Sequence, residues 1–207
     1  MRLIYVYDPL CSWCYGFRPT WQAIRAGLPE KISVETRLGG LAPDDDQPMP
    51  AHMSLKLAQT WRQIEKQCSV PFDHSYWDQV PNPPRTTYIA GRAVRAAEQL
   101  GIDEWQMVHA IQDAYYTQAR NVWQAKVLTQ IASQMGVNAE QFAALLNSDA
   151  LRAQHEAEVN ETYHMGVQGY PSLVFDDGQQ LGLLPINYGD PGYTLGVLES
   201  LSTSPQT

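Results

Sequence analysis

Two cysteines near the start of the chain, Cys11 and Cys14, constrain its fold and chemistry more than any other feature. They follow an apolar run, Leu3 to Tyr7, that predicts a short buried strand, and they precede a segment with helical spacing. Because Cys11 stands where this helix begins, unpaired backbone N–H groups and the positive end of the helix dipole favour its thiolate. Thiolate is the form that attacks disulfides. We therefore predict that Cys11 and Cys14 are a redox-active pair.

The same C-x-x-C spacing also occurs in zinc sites and in structural disulfides. A structural zinc ion takes four ligands, and the remaining cysteine, Cys68, is far away in the sequence. Zinc-finger spacing is absent from the histidines, which are His52, His74, His109, His155 and His164. The strand-to-helix context therefore favours redox chemistry, and we expect neither a metal nor a bound cofactor.

Cys68 itself has two interpretations. It shares a helical face with Leu57, Trp61 and Ile64, and free cysteine is among the most buried residue types. This pattern favours a small buried side chain. The alternative is a third redox thiol that resolves or regulates the active pair.

The charge and hydropathy patterns argue against two classes of partner. The formal net charge is −8 with no block of basic residues, and phosphate binding needs clustered Lys and Arg, so we expect no nucleic acid partner. No apolar run approaches the ~18 residues of a membrane-spanning helix. The N-terminal segment lacks the features of a signal peptide. We therefore expect a cytoplasmic protein without a membrane partner, whose cysteine pair is usually reduced.

The order of predicted elements divides the chain into three parts. A second strand, Lys31 to Leu38, follows the first helix, and strand, helix and strand together predict a right-handed unit with parallel strands. Residues 51–165 have mostly helical spacing, with a loop from Trp77 to Arg85 because residues 81–84 include three prolines. Residues 172–184 then predict an antiparallel hairpin with an Asp-Gly turn, and a closing helix begins at Asp190-Pro191.

This order, βαβ, a helical block and ββα, resembles the DsbA-like branch of the thioredoxin fold, most closely its FrnE-like disulfide-isomerase members. Two motifs carry the resemblance: Asp8-Pro-Leu-Cys-Ser-Trp-Cys14 and Gly166-Val-Gln-Gly-Tyr-Pro-Ser172. The resemblance implies an α/β thioredoxin fold with a large all-helical insertion. We expect residues 1–42 and 166–207 to form the thioredoxin-like domain, and residues 43–165 to form the inserted helical domain.

The resemblance also assigns roles to particular residues. It implies that Cys11 attacks and Cys14 resolves, and that Ser12 and Trp13 tune the redox potential. Pro171 would follow a cis bond, with the backbone of Tyr170 pairing with the substrate chain; from the residues alone, an ordinary trans proline at the start of a strand is equally compatible. The chain departs from well-studied members in one respect, because Leu3 to Tyr7 contains no carboxylate to relay protons.

The leading hypothesis is a thiol-disulfide oxidoreductase that acts on a thiol- or disulfide-containing protein or small molecule, glutathione included. A second hypothesis is a glutathione-dependent transferase or isomerase of the kappa or hydroxychromene-carboxylate type, which resembles this chain in element order. Those enzymes commonly carry serine at the position of Cys11, so two intact cysteines count against this hypothesis. A third is a non-catalytic binding module or a zinc-stabilised protein.

Overall fold

Within residues 1–203, which the computed structural model describes, four strands form one mixed sheet. They are β1 (Arg2–Tyr7), β2 (Ser33–Leu38), β3 (Ser172–Asp176) and β4 (Leu181–Leu184), in the spatial order β2-β1-β3-β4. The β1–β2 pair is parallel, and β3 is antiparallel to both β1 and β4. The βαβ and ββα halves predicted from the sequence therefore join in one sheet through β1 and β3.

The helices follow the predicted order, and the α/β thioredoxin fold with a large helical insertion is confirmed. They are α1 (Ser12–Gly27), α2 (Ala51–Cys68), α3 (Tyr76–Gln79), α4 (Tyr88–Gln99), α5 (Glu104–Tyr116), α6 (Ala125–Gln134), α7 (Ala139–Leu146), α8 (Asp149–His164) and α9 (Pro191–Thr203). No helix in the described part of the chain is both long and apolar enough to cross a membrane. The domain boundaries at 42/43 and 165/166 stay a prediction, and residues 204–207 lie outside the described residues.

One local prediction is wrong. The segment from Trp77 to Arg85 was expected to be a loop, but α3 continues to Gln79. The reason is positional, because the prolines begin at position 81 and do not prevent a helical turn that ends before them.

Strand β1 is buried on both faces, which places its C-terminal end inside the protein. Leu3, Tyr5 and Tyr7 face the main core, whereas Ile4 and Val6 belong to a smaller cluster on the opposite face. This alternation follows from the two-residue period of a strand. The strand therefore carries the chain directly from the buried sheet to the cysteine motif.

Polar contacts tie the ends of β1 and β2 to the helical block. The Glu104 carboxylate accepts hydrogen bonds from the Tyr7 hydroxyl (2.9 Å) and the Thr36 hydroxyl (2.7 Å). Arg95 forms ion pairs with both Glu104 and Glu158. Because these side chains are mostly buried and connect α4, α5 and α8 with the sheet, they fix the helices against the strands that lead to the site.

Candidate active site

Cys11 is the N-cap residue of α1. Its backbone is extended (φ −76°, ψ 114°), and its sulfur accepts a hydrogen bond from the backbone N–H of Cys14 at 3.3 Å. The backbone N–H of Cys11 donates to the carbonyl oxygen of Asp8 at 3.0 Å. The Cys11 sulfur therefore accepts a hydrogen bond from an N–H of the first helical turn that has no acceptor within the helix. This placement favours negative charge on the sulfur.

Cys14 lies one helical turn further along and is buried, with 1% of its surface exposed. Burial raises the pKa of the Cys14 thiol well above its usual value, and a hydrogen bond with the Cys11 side chain and the charge of that side chain act in the same direction. All three cysteines of the chain are free thiols in the structure. Cys14 is therefore held protonated beside Cys11.

Asp8 is a buried carboxylate beside the pair, and no role for it was predicted from the sequence. One of its oxygens accepts from the backbone N–H of Leu10 and the other from that of Leu41, each at 2.8 Å. Burial raises the pKa of Asp8, although these hydrogen bonds oppose the shift, and the charge of Asp8 in turn raises the pKa of Cys14. The signal in the sequence was an acidic residue placed directly after a buried strand.

Ser12 and Trp13, the two residues between the cysteines, are held by other parts of the protein. The Ser12 hydroxyl accepts a hydrogen bond from the indole N–H of Trp61 on α2 at 3.0 Å. The Trp13 ring packs against Tyr188, with the ring centroids 4.8 Å apart. Tyr188 lies between β4 and α9, and its contact with the motif was not predicted from the sequence. The first turn of α1 is therefore anchored on two sides.

The loop before β3 closes over Cys11. The Tyr170–Pro171 peptide bond is cis, as the resemblance implies. The Cys11 thiol donates a hydrogen bond to the carbonyl oxygen of Tyr170 at 3.3 Å. Cysteine and loop are 159 residues apart in the sequence, and pairing of β1 with β3 brings them together.

A pocket of about 140 Å³ opens beside Cys11. Its walls come from the motif, from α2, from the segments after β2 and before α4, and from Tyr170. The residues that line it are Leu10, Cys11, Ser12, Trp13, Leu41, Leu57, Thr60, Arg85, Thr87, Tyr115, Trp123 and Tyr170. Arg85 is the one Arg, Lys, Asp or Glu side chain among these described residues, and no role for it was predicted from the sequence.

Cys68 lies outside this pocket. It is half-buried at the end of α2, and its sulfur would be 3.1 Å from a Cβ placed on Gly16 of α1. Cys68 is therefore less buried than the small buried side chain that was expected. Among residues 1–203, no group of three or more His, Cys, Asp or Glu side chains is arranged to hold a metal ion.

Comparison with known proteins gives a family match over most of the chain. Residues 2–187 match the family model of the DSBA-like thioredoxin domain. This range includes the cysteine pair, the helical block and the loop before β3.

Similar folds occur among solved structures. The cytosolic disulfide reductase DsbM from Pseudomonas aeruginosa is 26% identical, with a TM-score of 0.78 and coverage of 98% of both chains. The same protein with GSH is 27% identical, with a TM-score of 0.77 and coverage of 98% of this chain and 99% of that one.

Two curated relatives are more distant. The ClpXP adapter protein SpxH of Bacillus subtilis (strain 168) is 23% identical over 98% of this chain and 69% of its own length. SpxH of Halalkalibacterium halodurans is 23% identical over 83% of this chain, which spans only 58% of that protein.

Proposed function

Because the chain belongs to the DSBA-like thioredoxin family, we propose that Cys11 is the nucleophile of an oxidoreductase and Cys14 its resolving thiol. The general function of this family is thiol-disulfide exchange. The observation that carries the proposal is the pairing of the two sulfurs at the start of α1. Both side chains are buried, but the Cys11 sulfur accepts a backbone N–H of the first turn and Cys11 lines the pocket, which Cys14 does not. The two cysteines thus have different environments and suit different roles.

The reducing direction divides into two exchange steps. The Cys11 thiolate attacks one sulfur of the substrate disulfide, a Cys11–substrate disulfide forms, and the first substrate thiolate leaves. Cys14 then gives up its proton and attacks the Cys11 sulfur, which releases the second substrate thiolate. Two electrons pass to the substrate, and the protein is left with a Cys11–Cys14 disulfide. An external thiol restores the pair by the reverse exchange.

The surroundings of the pair support this order of events. Burial, together with the hydrogen bond to Cys11 and the charge of Cys11, raises the pKa of Cys14 and keeps it protonated, so it does not compete with Cys11 for the first attack. Ser12 and Trp13 fix the position of the first turn, and the Tyr170 carbonyl beside the Cys11 sulfur is an acceptor for the backbone of a substrate. Tyr170 and Pro171 are proposed as the substrate-binding loop.

We propose the reducing direction, with glutathione as the external thiol. DsbM is named a cytosolic disulfide reductase, its structure with GSH is similar to this one, and its identity is 26–27%. A cytoplasmic location is consistent with that direction, since cytosolic cysteine pairs are usually reduced. The redox potential against glutathione should then be near the thioredoxin value of about −270 mV, and a value near about −120 mV would instead indicate an oxidant.

The direct test is catalysed reduction of a small disulfide by glutathione. Cys11→Ser should abolish the protein-dependent rate, because serine cannot form the mixed disulfide. Cys68→Ala should retain it, because Cys68 is outside the pocket. Full turnover by Cys11→Ser would overturn the mechanism. Tight glutathione binding by a protein with an inert cysteine pair would support the kappa-type transferase instead.

The SpxH relatives favour a second candidate, a binding adapter for a protease. Such a protein needs a docking surface, and thiol exchange is not required for that role. Binding of a protease subunit that persists in Cys11→Ser, together with absent disulfide reduction in the unmodified protein, would favour the adapter.

A further inference from the structure

From the pocket beside Cys11 we infer a specificity site in which Arg85 binds a carboxylate of the substrate, so that small acidic disulfides react in preference to neutral ones. The inference rests on the proposed thiol-disulfide exchange and names its substrate class. It begins from the placement of Arg85 in the lining of the pocket that also contains Cys11.

Arg85 is not neutralised by the protein. Its guanidinium donates a hydrogen bond to the sulfur of Met53 at 3.1 Å, a weak acceptor, and no ion pair of Arg85 is found among the described residues. The chain has 22 Asp and Glu but only 14 Lys and Arg side chains. Carboxylates are therefore plentiful, yet none within residues 1–203 pairs with Arg85. An ionised guanidinium is a strong donor to carboxylates.

The charge of Arg85 acts on the pocket. It lowers the pKa of Asp8, which lies beneath the cysteine motif, and that of Tyr115, which lines the pocket, although burial is the larger influence on both. Both Asp8 oxygens already accept backbone N–H groups. Asp8 forms no ion pair with Arg85, so the Arg85 guanidinium can still bind a carboxylate of a ligand.

The three Ser and Thr hydroxyl groups of the lining have protein partners, whereas the buried, uncharged Tyr170 hydroxyl has none. The Ser12 hydroxyl accepts from Trp61, the Thr60 hydroxyl donates to the carbonyl of Lys56, and the Thr87 hydroxyl accepts from the backbone of Leu41. Arg85 is thus the group best suited to orient a ligand by charge. At about 140 Å³ the pocket is smaller than the ~300 Å³ of a usual small-molecule site. It therefore suits one half of a small disulfide with a carboxylate a few bonds from sulfur.

The experiment compares two disulfides of similar size in a single turnover of the pre-reduced protein. The probes are 3,3′-dithiodipropionate, which carries two carboxylates, and 2-hydroxyethyl disulfide, which is neutral. Each turnover oxidises Cys11 and Cys14 to the disulfide and releases two thiols of the probe, so no added reductant is needed. Formation of the Cys11–Cys14 disulfide is followed by acid quench, alkylation and mass spectrometry.

We expect the unmodified protein to react about tenfold faster with the acidic probe, the effect of one partly exposed charged hydrogen bond. Arg85→Gln should remove that preference, so that the ratio of the acidic-probe rate to the neutral-probe rate falls to about one. Arg85→Lys, which keeps the charge, should retain part of the preference. The matched control is Arg62→Gln, which removes an exposed arginine from α2 outside the pocket and should behave as the unmodified protein.

Equal rates with both probes in the unmodified protein, or an equal loss with both in Arg85→Gln, would overturn the carboxylate site and leave the oxidoreductase proposal intact. No reaction with either probe would reject the oxidoreductase proposal and the site with it. If Arg85→Gln does not fold, raised ionic strength replaces it, because salt should slow only the acidic probe. Equal slowing of both probes by salt would again contradict the site.

Discussion

The ring of Tyr170 occupies the space that a side chain at position 39 would need. A Cβ placed on Gly39 would overlap ring atoms Cε1 and Cζ of Tyr170. Gly39 directly follows β2, and Tyr170 offers its carbonyl to the Cys11 thiol. The absence of a side chain at position 39 therefore lets the loop before β3 approach the nucleophile.

We predict that Gly39→Ala will slow disulfide reduction without unfolding the protein. The methyl group must displace the Tyr170 ring, and overpacking of this kind costs about 1–3 kcal/mol of unfolding free energy. The rate should fall about tenfold, as expected for a small displacement of a positioning group. Gly189→Ala is the control, since a Cβ there meets nothing within 4 Å. An unchanged rate in Gly39→Ala would show that the loop position is unimportant.

Replacing Asp8 by asparagine should make Cys14 easier to ionise. The substitution keeps the size of the side chain and removes the negative charge that raises the pKa of Cys14. In a Cys11→Ser background, alkylation of Cys14 against pH should therefore have its midpoint at lower pH when Asp8→Asn is added than when Asp8 is retained. Asparagine also loses one acceptor for the N–H groups of Leu10 and Leu41, which should destabilise the protein by about 1–3 kcal/mol. A midpoint that does not move would mean that Asp8 has only a structural role.

The hydrogen bond between Ser12 and Trp61 should contribute to stability. Ser12→Ala leaves the buried indole N–H of Trp61 without its acceptor, which should lower the free energy of unfolding by about 1–3 kcal/mol in urea titrations. Ser133→Ala is the comparison, because its hydroxyl donates to a carbonyl of its own helix at 2.8 Å. That variant should change stability by less than about 0.5 kcal/mol. Equal effects of the two substitutions would argue against the contact.

His155 should make the protein less stable in mild acid. The ring is fully buried, and this burial lowers the pKa of His155 from 6.5 to about 4. The unfolded chain therefore binds a proton first as the pH falls from 6.5 towards 4. Over this range the free energy of unfolding should decrease by about 3 kcal/mol, and the stability is fully present above pH ~6.5.

His155→Leu should flatten this dependence, whereas exposed His52→Gln should not. Urea titrations at several pH values measure the slope. A His155→Leu variant that retained the full acid dependence would assign it to other groups.

The parts of the site that are local in sequence could be predicted from it. The strand, the helix that begins at Cys11 and the cis-proline loop each depend on residues close to one another, and the structure contains all of them. In α8 the four-residue spacing of Leu151, His155, Val159 and Tyr163 predicts one buried face, and the first three of these residues are buried. Tyr163, expected on the same face, is 52% exposed, because Thr162 takes the buried position near the end of the helix.

The remaining features depend on packing between distant segments. Arg85 reaches the pocket only through the arrangement of the segment before α4, and Tyr188 meets Trp13 from the other end of the chain. Asp8 is visible in the motif, but its hydrogen bond with the backbone of Leu41 depends on the segment after β2. No periodicity in the sequence encodes these contacts.

Trapping of the mixed disulfide tests the central claim, that Cys11 attacks and Cys14 resolves, most directly. Cys14→Ala and Cys11→Ala proteins are reduced, mixed with 2-hydroxyethyl disulfide, and analysed by intact and peptide mass spectrometry. We expect Cys14→Ala to gain one half of the probe on Cys11, and Cys11→Ala to gain none on Cys14, because Cys14 does not line the pocket and its pKa is raised. An adduct on Cys14 that forms as fast as the one on Cys11, or no adduct on Cys11, would contradict the claim.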